Sequence, residues 1–319
     1  MIIAKKGEPL TPSKPAAQLR DWGLLLLFLM LAGGCTLTPN TLAIRNNPTR
    51  LMENTIYKTD DGTVVTPAQL FAELGPERVI YVGESHTNPA HHAIQLQVIQ
   101  ALARQTPDLI IGMEMFDVTY QPVLDRWCAG QLDVPTFLKQ THWAVNWRYD
   151  FALYRDILEF AKENRLRVVA LNIPFHIPAK IRIGGINSLT EADRRYLPQT
   201  IDTGNTAHRN YLKTIYDLHA FAAEDHFATF YEAQCAWEDA MADAVAQHLG
   251  EGRMVVLVGN GHIIRKFGIP DRAFSRTHAP FKTIYLAEVG GEAERDWADY
   301  LWITAETPMR HMPMRRPAP

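Results

Sequence analysis

The stretch RVIYVGESHTNPAHHAIQLQVIQAL, residues 78–102, decides the fold. Val79-Ile80-Tyr81-Val82 is an unbroken β-branched and aromatic run and reads as a buried strand, with Gly83-Glu84-Ser85-His86 as the turn that leaves it. Asn88 is placed to cap a helix and Pro89 suits its first position. Ile94, Val98 and Leu102 then recur at the four-residue spacing that buries one helix face. The helix N-terminus therefore lies beside Glu84 and His86. Its free amides and positive dipole end favour an anionic group there, such as a carboxylate, phosphate or propionate. His91 and His92 fall in the first helical turn, either behind the site residues or facing solvent, and the solvent-facing reading is preferred.

Outward from this stretch the same alternation continues. Thr55–Thr66 reads as a hairpin around Asp60-Asp61-Gly62, and Thr66-Pro67 opens a short helix through Leu74. Further strands are expected at Asp108–Glu114, Arg167–Ile173, Met254–Val258, Lys282–Glu288 and Ala298–Thr304, with helices at Tyr120–Gly130, Val134–Gln140 and Phe151–Asn164. Short apolar strands separated by helices imply an α/β fold with a largely parallel central sheet flanked by helices. Residues 185–250 break the alternation. They carry no strand signal and many aromatic and His residues, and are read as a helical insertion or cap within one domain spanning 54–304.

The chain ends read differently. In Met1–Gly34, Lys5, Lys6, Lys14 and Arg20 precede an apolar run from Trp22 that is too short to span a bilayer, the pattern of an export signal. Leu31-Ala32-Gly33-Gly34-Cys35 resembles a bacterial lipobox, with Cys35 as the lipidated residue. Several acyl chains, at about 0.8 kcal/mol per buried methylene, would hold the protein on a membrane. Thr36, with no Asp after Cys35, resembles the sorting pattern for the outer membrane of a Gram-negative cell, which places the protein on its periplasmic face. Residues 35–53 are read as a tether and 305–319 as a disordered tail. The charged residues of 1–34 sum to +2, so the mature chain carries −5 against −3 for the whole, which gives no footprint for nucleic acid. Cys128 and Cys235 remain, either as a disulfide or as two separate thiols.

Four expected strands end in polar groups: Glu84 and His86, Glu114, Asn172, then Asn260 and His262. In parallel sheets the crevice beyond the strand C-termini is where ligands bind, so these groups are expected to share one pocket, with Asn172 and Asn260 in support. Two imidazoles and a carboxylate, His86, Glu114 and His262, are the donor set for a divalent transition metal (Mn, Fe, Co or Zn). Without a metal, His86 held by Glu84 or Glu114 is a general base. The aromatic residues of 185–250 would offer flat apolar surface to a macrocycle, although most such stripes are core. Gly259-Asn260-Gly261 resembles a dinucleotide turn, but Ile264 stands at the third glycine. No Walker loop, Gly-x-Ser-x-Gly elbow or His-Glu-x-x-His helix is present.

Several of these stretches resemble one family, the ChaN-type haem-binding uptake lipoproteins of the Tiki/TraB/erythromycin-esterase superfamily. They are Gly83–His86 with Asn88-Pro89, Gly112–Asp117 with Gln121, and Trp143 through Trp147 to Tyr154. Ala170–Pro174, Gln234 with Trp237 and Met241-Ala242, and Gly259–His262 complete the set. The resemblance implies a lipoprotein role in haem or iron uptake beside a transport machinery, and a homodimer that sandwiches two haems with a Tyr on each iron. Tyr211 is taken as that ligand, with Tyr149 and Tyr216 as alternatives. Tiki-like relatives resemble metal-dependent peptidases and the esterase relatives use a His base, so Glu84, His86, Glu114 and His262 also fit a periplasmic hydrolase.

Overall fold

The computed structural model describes residues 40–218 and 226–307. The export signal 1–34, Cys35, the first part of the tether and residues 308–319 lie outside them. The strands are β1 Leu42–Ile44, β2 Arg50–Leu51, β3 Ile56–Lys58, β4 Val64–Val65, β5 Val79–Val82 and β6 Ile110–Asp117. They continue with β7 Arg167–Asn172, β8 Met254–Leu257, β9 Phe281–Glu288, β10 Glu292–Ala293 and β11 Tyr300–Thr304. Eight of them form one sheet in the order β4-β3-β11-β9-β5-β8-β6-β7. Pairing is parallel from β11 to β7, and the β3–β4 hairpin closes one edge antiparallel. This is the α/β architecture expected from the sequence, a mostly parallel sheet with helices on its faces.

The two faces follow from the period of two along each strand. Ile80 and Val82, with Ile111, Met113, Val255 and Leu257, pack under the helices Pro89–Ala103, Gln121–Cys128 and Ala152–Glu163. Val79 and Tyr81, with Val169, Leu171 and Val256, face the opposite way onto Met241, Val245 and Leu249 of the helix Phe227–Leu249 and onto Ile269 and Ala273. The opening helix starts as expected: the Asn88 side chain accepts from the amides of Ala90 and His91, and Pro89 follows it.

Three expectations are corrected. The stretch read as a tether is folded from residue 42, because Leu42 and Ile44 are buried and β1 pairs with both β2 and β10 in a separate three-stranded sheet. The segment 185–250 is helical over its described residues, but the long helix Phe227–Leu249 lies on the sheet as the crossover between β7 and β8 rather than as a cap. His91 and His92 are buried, not solvent-facing. Cys128 and Cys235 are free thiols. Among the described residues, no helix is long and apolar enough to cross a membrane.

Candidate functional site

Four neighbouring parallel strands, β5, β8, β6 and β7, carry the polar residues at or near their C-terminal ends, so the sheet itself gathers them. Gly83 and Gly259 are required by close approach. A Cβ on Gly83 would stand 2.0 Å from the Asn260 amide oxygen, and one on Gly259 would stand 3.3 Å from His86 Nε2 and 3.6 Å from a Glu114 oxygen. Gly261 has open space around it, so only the first glycine of the second Gly-x-x-His is set by packing.

Glu84 is buried and acts as the hub of one cluster. Its Oε1 accepts from His86 Nδ1 at 2.6 Å and from the Tyr154 hydroxyl at 2.7 Å, while Oε2 faces His92 Nδ1 at 3.3 Å. That last contact is electrostatic rather than an aligned hydrogen bond. Burial works against ionisation, but the hydrogen bond from His86 and the imidazole of His92 outweigh it and set the Glu84 carboxyl at about 2. His92 Nε2 donates to the His86 carbonyl oxygen at 3.2 Å, which fixes the second imidazole behind the first. His91 is held in one tautomer: Nδ1 accepts from the Ser85 amide at 2.8 Å and Nε2 donates to Thr304 Oγ1. Burial keeps it neutral down to about 4. His86 is opposed by burial as well, yet the Glu84 hydrogen bond and the carboxylates of Glu114 and Glu84 raise it above the ordinary range. With Nδ1 spent on Glu84, its Nε2 is left without a hydrogen-bond partner among the described residues. A carboxylate-backed imidazole of this kind can take a proton or coordinate an electrophilic centre.

The second cluster centres on His262. Its Nε2 lies 3.4 Å from Glu114 and its Nδ1 lies 3.3 Å from Glu238, both buried carboxylates. Burial disfavours the cation, but the Glu114 charge and its hydrogen bond, followed by Glu238, push His262 up to about 10. Glu114 also accepts from the Gly259 amide at 2.6 Å, tying β6 to the end of β8. The β6–β7 ladder is irregular between Met113 and Asp117, and there the Asn172 amide donates to the Glu114 carbonyl at 2.8 Å in place of a ladder bond. Asn172 Oδ1 in turn accepts from Trp237 Nε1 at 2.6 Å.

His86, Glu114 and Asn172 line one cleft of about 360 Å³, whose walls include Trp147, Tyr149 and Trp237. A larger groove of about 610 Å³ shares Phe175, Pro178 and Trp237 with it and is mostly apolar, with Ile183, Phe230 and Ala233 among its walls. Glu84 and His262 sit behind the cleft through their partners. Two expected residues lie elsewhere. Asn260 bridges outward to β9, donating to the Leu286 carbonyl and accepting from its amide, because β5 between them ends at Val82 while β9 runs on to Glu288. Tyr211 lines neither cavity, since its helix Thr206–Leu218 turns the ring under the Arg265 guanidinium, 5.8 Å away. Among the described residues, no three His, Cys, Asp or Glu side chains stand in a metal-holding arrangement. Both nitrogens of His262 and Nδ1 of His86 are already turned onto carboxylates, so the expected set His86, Glu114 and His262 is not preformed as ligands.

Tyr154, His92 and Glu238 were not assigned to the site from the sequence. Glu238 had a signal: Gln234, Trp237 and Glu238 share one face of the helix by their spacing of three and four.

Comparison with known proteins gives the family and the fold. The family described as "Haem-binding uptake, Tiki superfamily, ChaN" matches residues 70–273. Among solved structures, ChaN of Campylobacter jejuni, described by its cofacial haem binding, is 19% identical with a TM-score of 0.64, covering 77% of this chain and 95% of that one. An erythromycin esterase, EreC, in its open conformation is 10% identical with a TM-score of 0.43, covering 74% of this chain and 76% of that one. RETICULATA-RELATED 5, a chloroplastic protein of Arabidopsis thaliana, is 22% identical over 72% of this chain, and the chain spans about a third of its length (34%). With the family matched over more than half of its 319 residues, the chain belongs to the haem-binding uptake proteins of the Tiki superfamily, the ChaN family.

Proposed function

We propose that this protein binds haem in the groove walled by Phe175, Ile183, Phe230 and Trp237, and that it serves haem uptake from a lipid anchor at Cys35 on the outer membrane. The observation that carries the reading is the join between this mostly apolar groove and the polar cleft holding His86, through the shared residues Phe175, Pro178 and Trp237. Haem needs flat apolar walls, cations for its propionates and an O or N donor for iron. The groove supplies the walls, Arg182 and His226 line it, and Arg148 and Tyr149 line the adjoining cleft. Phe175 and Ile183 expose 70% and 83% of their surface at the rim, which suits a ligand or a second copy covering them. Bound haem would bring iron able to exchange its sixth ligand. This chain's contribution is to hold the macrocycle between aromatic side chains and to set the charge around it.

Of the tyrosines weighed from the sequence, Tyr149 lines the cleft and Tyr216 the groove, while Tyr211 lines neither; Tyr216 is buried and Tyr149 is the more accessible, so Tyr149 replaces Tyr211 as the expected oxygen donor. Titration with hemin should give a saturable Soret shift and a doubling of molecular mass. Tyr149→Phe should alter the ferric charge-transfer bands while Tyr211→Phe leaves them unchanged. Hemin that binds without saturation refutes the reading.

The unpartnered His86 Nε2 favours a second reading, a hydrolase in which Glu84 and Tyr154 hold the base. Turnover of a chromogenic ester that disappears in both His86→Ala and Glu84→Gln would support it, and equal background rates in all three proteins would end it.

A further inference from the structure

A third cavity, of about 380 Å³, lies near the strand ends, walled by Leu42, Tyr285 and Trp297 and by the carboxylates of Glu288, Glu292 and Glu306. The Tyr285 and Trp297 rings stand 4.9 Å apart at 48°, giving an aromatic floor. None of its lining residues is Lys or Arg; Arg45 reaches Glu292 at the rim, 3.4 Å away, and also bonds Glu294. Ser85 forms part of the wall, so the groove backs onto the turn between Glu84 and His86, away from the haem cleft.

The chain leaves the described fold at this groove. Thr307 donates its amide to Glu288 at 2.9 Å, and Glu306 accepts from Asn40 at 3.2 Å. The segment that follows, 308–319, reads PMRHMPMRRPAP: Arg310, Arg315 and Arg316 with no acidic residue. Three residues span about 10 Å when extended, so Arg310 comes within reach of the cavity from Thr307. Guanidinium groups pair with carboxylates and stack on aromatic faces, the two surfaces this groove offers.

We propose that segment 308–319 docks in this groove, with its arginines on the Tyr285–Trp297 floor and against Glu292 and Glu306.

The test is competition. A labelled synthetic peptide of residues 308–319 is titrated into the whole chain and into a chain ending at Thr307, followed by fluorescence polarisation. The shortened chain should bind it saturably, and the whole chain about tenfold more weakly because its own segment occupies the groove at high effective concentration. Binding should weaken on going to about 0.5 M NaCl, which screens these charges. Glu292→Lys and Trp297→Ala, placed separately in the shortened chain, should each weaken it, with unchanged circular dichroism showing that the fold is kept. Equal affinity for the two chains, or no binding to the shortened one, overturns the proposal. So does an arginine segment that carries the whole chain onto anionic vesicles equally well with and without Glu292→Lys, which would make a membrane its partner.

Discussion

Replacing His262 with Phe tests the second cluster most directly. The phenyl ring fills a similar volume beside Trp237, whose ring lies 5.2 Å from the imidazole edge-on, so the change removes charge rather than packing. Glu114 would keep only the Gly259 amide, while Glu238 would keep Gln234 and the nearby Arg272 and His208. Stripping the partner from a buried carboxylate costs about 3–5 kcal/mol. The raised His262 gives the same scale independently: a rise from 6.5 to about 10 corresponds to about 5 kcal/mol of linkage. The sign follows, because a group whose folded value is raised contributes fully below its unfolded value and loses that contribution as pH climbs. Urea unfolding of the ligand-free protein should show the native chain losing stability between pH 6.5 and 10, a loss reduced in the variant to the smaller part that the raised His86 contributes. At pH 7 the variant should fall short by about 3–5 kcal/mol, and Glu114→Gln added to it should recover most of this, because the amide can still accept from Gly259. A deficit under about 1 kcal/mol at pH 7, or an alkaline slope unchanged in the variant, refutes the assignment of His262 as a buried cation.

Three further outcomes follow from the geometry. Gly83→Ala drives a methyl group into the Asn260 amide and breaks its two bonds to Leu286, which should cost about 2–4 kcal/mol by chemical denaturation, whereas Gly261→Ala should be near neutral. Leu42→Ala should cost about 2–5 kcal/mol in the same assay, an outcome incompatible with residues 40–44 acting as a tether. On the acid side, His91 is held down at about 4 and Glu84 at about 2, so stability should fall as pH drops from 6.5 toward 2; His91→Gln should flatten the upper part of that limb, from 6.5 to 4, and leave the part below 4.5 that Glu84 governs.

The parallel sheet was legible because its strands are continuous apolar runs and the helix after β5 carries its own cap at Asn88. What stayed hidden depended on distant partners. Leu42-Ala43-Ile44 is too short to show a period, and it is buried by Glu292-Ala293, some 250 residues downstream. His91 illustrates a different failure. It shares the buried stripe with Ile94, Gln95 and Val98, so its spacing marked it as internal while its polarity argued the reverse. The deciding fact was a pair of partners that satisfy both ring nitrogens, the Ser85 amide close by in sequence and Thr304 on the far strand β11. Glu84, His86, Glu114 and Asn172 were found from strand ends, and the sheet order brings them together. Tyr154, reaching Glu84 across 70 residues, was visible only in three dimensions. Choosing among tyrosines needs the direction of a helix face, and that of Tyr211 turns toward Arg265 and away from both cavities.

The helix Phe227–Leu249 explains why the apolar groove and the charged cluster occur together. Phe230, Ala233, Gln234 and Trp237 wall the groove, and Glu238, one residue on, binds His262 from the same helix. Trp237 bridges the two directly: its ring edge meets His262, and its indole N–H holds the Asn172 that supports Glu114. Gln234 repeats the link, lining the groove while donating to Glu238 at 2.7 Å and standing 3.4 Å from His262. A ligand that moves Trp237 or Gln234 by the width of a hydrogen bond therefore changes the field at a buried imidazolium, since the packed interior transmits the shift instead of absorbing it. The buried charges are the frame that fixes the groove wall. Their retention in this helix follows from that task, because an apolar residue at 238 would remove the carboxylate that holds His262 Nδ1, the ring against which Trp237 packs.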